Sequence, residues 1–206
     1  MLSILGKTTS INVRKVLWTC EEAGLGFQQE DYGSGFASTQ TAAFRALNPN
    51  AMVPVLLDDE FVLWESNAIC RYLARKAGRE DLLPTEPQAC ANVERWMDWQ
   101  ASEFNNAWRY VFPALGRNNP DYTDPERIAA GIKAWNHCIA ILEQLQRTAA
   151  YTAGEVFTLA DVVLGLSVNR WKMTPFDKPD VPAINAWFER LNQRPAFLRH
   201  GNNGMV

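Results

Sequence analysis

A chain of 206 residues has room for one large domain or two small ones sharing an interface, each able to bury a core without disulfides or metals. Hydrophobic residues at 47% and charged residues at 21% describe an ordinary globular protein and set disorder and fibrous repeats aside. The net charge of −3, with no Lys/Arg run longer than two, lacks the basic footprint of a nucleic-acid binder, so neither DNA nor RNA is expected as a partner.

In chain order, Met1 to Leu5 (MLSIL) is a short apolar run meeting Gly6, a strand and its stop. Val13, Val16, Leu17 and Cys20 then recur at helical spacing, with Asn12 as a candidate N-cap and Gly24 as the stop. Partial alternation over Phe27 to Tyr32 gives a second strand. Val53 to Leu57, the turn Asp58-Asp59-Glu60, and Phe61-Val62-Leu63 read as a hairpin. Ser66 can cap a helix bearing Ile69, Cys70, Tyr72 and Leu73 and ending at Gly78. The unit reads β-α-β-α-β-β-α, and the polar, proline-bearing GREDLLPTEP from Gly78 to Pro87 reads as a linker. Beyond it, Gln88 to Leu115, Asp124 to Ala149, Leu159 to Trp171 and Ile184 to Gln193 carry apolar residues at spacings of 3 and 4. The expected fold class is α+β over residues 1–80 followed by an all-α domain over 87–206. The many tryptophans of the second part fit a helical core, with Trp108 or Tyr110 as candidates to line an open apolar cleft.

The first fifteen residues lack a basic start followed by an apolar run and a small-residue cleavage site, and nowhere do eighteen apolar residues run together. A cytoplasmic chain with no membrane span is expected. The four cysteines, at 20, 70, 90 and 138, form no CxxC pair and have only His137 and His200 for company, so neither zinc nor a disulfide framework is expected.

Three features of the first eighty residues bear on chemistry. Thr8 to Asn12 follows the first strand and opens the first helix, where a hydroxyl either caps the helix or donates to an anion at its positive end. Val53-Pro54 lies within an apolar run, either as an edge-strand proline or as a cis bond that turns the Val53 main chain toward an extended ligand. Glu65-Ser66-Asn67 opens the last helix, as a cap or as a carboxylate site with Glu65 beside it for an amine.

Taken together, SINVRKVL at 10–17, LNPNAMVPVL at 47–56 and LWESNAICRYLA at 63–74 resemble the thioredoxin-like domain of cytosolic glutathione transferases, in particular the bacterial, serine-type, theta- or beta-like members. FTLADVVLG at 157–165 is similar to the capping-box motif of their helical domain, with Thr158 as N-cap and Asp161 three residues on. The resemblance implies glutathione bound in an extended pose. Val53, with Met52 beside it and a cis bond to Pro54, would pair with the cysteinyl unit, and Glu65 and Ser66 would hold the γ-glutamyl amine and carboxylate. Gln40 stands where many relatives place a cation near the glycyl carboxylate. Ser10 takes the place of the thiol-activating hydroxyl, with Thr9 and Asn12 as alternates. The electrophile, a small apolar molecule, would lie against Asn105, Trp108, Arg109 and Phe112. A homodimer whose first domain packs on the partner's long helices is implied as well; Gln100, Glu103 and Asn106 repeat at a spacing of three as a polar stripe on such a helix, which puts Glu103 of one chain near the glutathione amine held by the other. The implied activity is transfer of the glutathione thiolate in detoxification, with peroxide or disulfide reduction open to the same thiolate. A non-catalytic binding or assembly protein on the same fold is the alternative.

Overall fold

A computed structural model describes residues 1–205. Its first part is a four-stranded sheet in the order β2-β1-β3-β4, formed by β1 (Leu2–Leu5), β2 (Phe27–Glu30), β3 (Val55–Asp58) and β4 (Phe61–Trp64). The β1–β2 pair is parallel, so a crossover must join the two strands, and α1 (Ile11–Ala23) supplies it. The pairs β1–β3 and β3–β4 are antiparallel, the second closed by a tight turn with Asp59 at φ 53°. Alternation along the strands sorts the apolar residues to two faces. Leu2, Ile4 and Leu56 pack with α1 and α3 (Ser66–Lys76), whereas Leu5 and Val55 pack with Phe44 of α2 (Ala42–Leu47).

The second part holds α4 (Pro87–Trp99), α5 (Asn105–Trp108), α6 (Pro125–Gln146), α7 (Leu159–Met173), α8 (Pro182–Asn192) and α9 (Pro195–His200). Among the described residues it contains no strand, only a bridge between Tyr151 and Gly154. No helix among the described residues is long and apolar enough to cross a membrane. The periodicity of 88–115 suggests one helix, but π-helical turns at Gln100–Phe104 and Phe112–Gly116 interrupt it. Each π turn inserts a residue and rotates the downstream residues about the helix axis. The polar stripe expected from Gln100, Glu103 and Asn106 is therefore not one surface: Gln100 is fully buried, whereas Glu103 and Asn106 are exposed. α9 starts at Pro195, directly after its N-cap Arg194, and has only six residues, too few to show a period.

α1 and α7 form the seam between the parts. α7 is buried on every side from Leu159 to Trp171, and Gly165 is what lets α1 come close: a Cβ there would meet Leu191 at 2.9 Å and the Trp18 ring at 3.2 Å. Trp18 is fully buried, its ring 4.8 Å from that of Phe197 and 5.8 Å from that of Phe157. Arg14, also on α1 and fully buried, donates from Nη1 to the Gly201 and Met205 carbonyls and to Asn203 Oδ1, tying the C-terminal stretch to the seam. Thr158 takes the N-cap of α7, and Asp161 accepts from the N–H of Thr158 at 2.9 Å and of Thr152 at 2.8 Å and from Trp187 Nε1 at 2.9 Å.

Candidate active site

Two adjoining clefts open where the sheet meets the helices. One, of about 360 Å³, is lined by Asn12, Met52, Val53, Pro54, Glu65 and Ser66 among others. Its neighbour, of about 380 Å³, shares Asn12, Met52 and Val53 and adds Ser10, Trp108, Phe112, Arg117 and Arg170.

Local sequence builds each wall. The N-cap of α1 is Ser10, so Asn12 sits in the first turn and is not the cap expected from the sequence. The Ser10 side chain makes no capping bond, which leaves its hydroxyl available beside the positive end of a thirteen-residue helix. α3 starts one residue earlier than expected: its N-cap is Glu65, at φ 73°, and Ser66 is the first helical residue. A left-handed φ at a non-glycine residue is costly and is found where the surroundings impose it. Glu65 provides no side-chain cap, so the first amides of α3 also stay open, with Ser66 6% exposed beside them.

Between these two termini runs the loop to β3. The Val53–Pro54 bond is cis, and the sheet register begins only at Val55, leaving the Val53 main chain outside the ladder. Asn48, 3% exposed, fixes this loop by donating to the Met52 carbonyl at 2.8 Å and accepting from the Asn50 N–H at 3.0 Å. Gly6 lies beneath it at φ 148°, and a Cβ there would meet Val13 at 2.5 Å and Val53 at 2.9 Å.

Support comes from a buried polar chain. Lys15 Nζ donates to Gln100 Oε1 at 2.8 Å and Asn67 Oδ1 at 3.3 Å, Asn67 Nδ2 donates to the Met97 carbonyl, and Gln100 Nε2 reaches Ser167 Oγ. The start of α3 is thereby tied to α1, α4 and α7. Burial pushes the Lys15 ammonium down to about 8.

Several expected site residues lie elsewhere. Thr9 is exposed and lines neither cleft. Gln40 is exposed, its Oε1 taken by Arg45, and it is Thr39 that lines the cleft. Asn105 is spent internally, accepting from Gln100 Nε2 at 2.9 Å and Trp108 Nε1 at 3.1 Å. Arg109 is exposed and lines neither cleft: Trp108 and Phe112, four residues apart, share the face that does, and the next residue along a helix points about 100° away from it. Glu103 is exposed on the first π turn. Sequence reasoning passed over Lys7, Asn48, Lys15, Arg117 and Arg170. Arg170 left a readable signal, a cation ending the apolar run of α7, and so did Asn48 in NPN before the valine and proline. Among the described residues no cluster of three or more His, Cys, Asp or Glu side chains could hold a metal, and the four cysteines are free.

A thioredoxin-like domain joined to an all-helical one, with a two-part cleft at the seam and two open helix termini facing it, defines the architecture of the cytosolic glutathione transferases. Known proteins bear this out at the level of family. The sequence matches the family models of the glutathione S-transferase N-terminal domain over residues 2–75 and of its C-terminal domain over residues 110–195. It is 34% identical over 201 residues to glutathione S-transferase GstB of Escherichia coli, covering 97% of both chains, and 33% identical over 209 residues to glutathione S-transferase 3 of Zea mays, covering 96% and 92%. The fold superposes with a TM-score of 0.93 on the theta class glutathione S-transferase of Xanthomonas axonopodis pv. citri with glutathione bound, at 38% identity over 100% and 99% of the two chains. The chain belongs to the glutathione S-transferase family.

Proposed function

We propose that this transferase binds glutathione along the seam and presents its sulfur as a thiolate to an electrophile held against the helical wall. The observation that carries the reading is the pair of uncapped helix N-termini, at Ser10 and Ser66, opening on adjoining clefts with the free main chain of Val53 between them. An extended peptide with an α-carboxylate at one end and a thiol in the middle matches that spacing of anion sites. The γ-glutamyl carboxylate meets the first amides of α3 and Ser66, its ammonium meets Glu65, and the cysteinyl unit pairs with Val53. Lys7 and Thr39 stand at the far end for the glycyl carboxylate, in place of Gln40.

A thiol of ordinary pKa near 8.5 is only about 3% ionised at pH 7. A hydroxyl donor at the N-terminus of α1 supplies a hydrogen bond and a dipole, together worth roughly 2–3 kcal/mol for the thiolate, or about two pKa units. Ser10 donates throughout and is never the nucleophile. Sulfur then forms the new bond to carbon while the leaving group departs with the electrons of the old one. Ser10→Ala should raise the pKa of bound glutathione, read from thiolate absorbance against pH, and leave its affinity nearly unchanged. A shift in Asn12→Ala with none in Ser10→Ala would move the role to Asn12.

Residues 1–80 carry the glutathione side of this reading and 87–206 the electrophile side. A homodimer fits the free edge strand β4, where Phe61, Val62 and Trp64 are 48%, 36% and 37% exposed and an apolar sheet edge calls for cover. Four free cysteines accord with a reducing, cytoplasmic setting and a part in detoxification.

A further inference from the structure

The helical wall carries more positive charge than an apolar electrophile needs. The cleft that Trp108 and Phe112 line also receives Lys7, Arg117 and Arg170, and among the described residues no Asp or Glu lines it. Arg170 is 2% exposed. Its guanidinium lies 4.0 Å from the Phe112 ring centroid and 4.6 Å from that of Trp108, and Arg117 approaches Phe112 from 4.9 Å. The Arg170 Nε has no hydrogen-bond partner among the described residues. Burial above all, and then the repulsive charges of Arg14 and Arg117, push its pKa down to about 9. It is still a cation at neutral pH.

Buried guanidinium groups are normally paired with carboxylates, because an unpaired charge out of water is expensive. Ring stacking offsets part of that cost but leaves the edge donors unsatisfied. A planar fork of N–H groups open to a cleft, with a second guanidinium nearby, is suited to a carboxylate or another flat anion. The adjoining indole and phenyl faces suit an aromatic frame.

We propose that the second substrate is an electrophile that carries its own anionic group on a flat, apolar frame, with Arg170 as the buried anchor and Arg117 at the rim. This deepens the transferase reading and rests on it, replacing the neutral apolar electrophile expected from the sequence with an acidic one. Lys7, on the opposite wall, remains with the glycyl end of glutathione.

The test uses a matched pair, 4-chloro-3,5-dinitrobenzoate and its methyl ester. In both, glutathione sulfur bonds to the chlorine-bearing carbon, chloride leaves with the bonding electrons, and the thiol proton passes to solvent. Values of kcat/KM are divided by the uncatalysed rates to remove the difference in intrinsic reactivity. The full-length protein should favour the carboxylate by at least about tenfold, and Arg117→Gln and Arg170→Met should each cut that preference by roughly tenfold, the effect of one charge-assisted contact. Arg117 is exposed, so its variant reports even where the Arg170 variant fails to fold. Equal efficiency on both electrophiles would overturn the proposal. So would variants that raise the KM for glutathione equally with either electrophile, since the cations would then serve the glycyl carboxylate. A second readout needs no turnover: quenching of tryptophan fluorescence by 3,5-dinitrobenzoate against its methyl ester. Arginine-dependent binding of the acid in a protein that conjugates neither electrophile would sink the transferase reading, and the substrate role with it, and keep only an anion site at Arg170 and Arg117. Conjugation of both without preference would do the reverse.

Discussion

The two halves of the molecule treat their helix N-termini in opposite ways. In the helical half the long helices α4, α6, α7 and α8 are closed by side chains, and only the six-residue α9 and the one-turn α5 that continues a π turn have no such cap. Glu86 accepts from the N–H of Gln88 and Ala89, Asp124 from those of Glu126 and Arg127, and Glu143 reaches across from α6 to the N–H of Ala183 and Ile184 on α8. In the thioredoxin-like half α2 is closed by Thr41, but α1 and α3, which face the clefts, have no side-chain cap. Free N–H groups at a helix end are met by side chains, water or ligands. The two long helices left open, both at the clefts, are the ones proposed to take the anionic parts of glutathione.

The strongest challenge to this contrast is removal of a closed end. Asp161→Ala strips the acceptor from three buried donors, the N–H groups of Thr152 and Thr158 and Trp187 Nε1. It should cost about 3–5 kcal/mol, read as a lower urea midpoint. Glutathione affinity of the protein that remains folded should not change, and a loss below about 1 kcal/mol would show that closure contributes little.

Lys15 lies on the seam and probes neither kind of terminus but the support between them. Its pKa is pushed from 10.5 down to about 8 by burial. The unfolded chain therefore keeps this proton where the folded chain has lost it, and stability should rise with pH between about 8 and 10.5, by about 3 kcal/mol at most. Lys15→Met removes that pH dependence, so the unfolding free energy of the unsubstituted protein minus that of the variant should rise across this window. Parallel curves would mean that the ammonium is not burdened by burial.

An open end should respond in the opposite sense to Asp161. Ser66→Ala should weaken glutathione binding by about 1–3 kcal/mol, measured calorimetrically, with the lost hydrogen bond to a charged group as the cause. Its unfolding free energy should stay within about 0.5 kcal/mol, because the hydroxyl closes nothing in the free protein. A stability loss as large as the affinity loss would make Ser66 a cap after all.

The smallest effect is expected at Glu103. If the partner's glutathione amine meets this exposed carboxylate, Glu103→Gln should lower affinity by no more than about 1 kcal/mol without changing the sedimentation of the dimer. A monomer in sedimentation removes the premise.

How far these regions are readable differs with the physics behind them. Strands with alternating apolar residues, the hairpin turn at Asp58 to Glu60 and the Gly24 stop depend on neighbours in sequence, and the sequence shows them. The open termini are nearly placed, but Asn12 and Ser66 read as caps because a cap residue is recognised by type while its position depends on backbone angles, here φ 73° at Glu65. Arg109 is offered by its place in the aromatic stretch at 105–112, whereas Arg170 reaches Trp108 and Phe112 from α7, a contact made only by the fold. Periodicity assumes 3.6 residues per turn, and the two π turns break that count in what reads as one helix over 88–115. Buried Lys15 is invisible because lysine is rarely enclosed, and nothing nearby in sequence announces the Asn67 and Gln100 that receive it.

α1 begins at the cleft with Ser10 and continues through Val13, Trp18 and Cys20, all fully buried between sheet and helices. One piece of chain is thus both the floor of the proposed reaction site and the shared wall of two compartments. Exchange of the second half for that of a relative is constrained by the replacement's fit to this wall: a glycine where α7 passes Trp18, a ring in the place of Phe197, and carbonyls at a tail that reaches Arg14. A chimera that ignores them would lose the alignment of Ser10 even with every glutathione-facing residue intact, so activity in such hybrids reports the quality of a joint some distance from the sulfur.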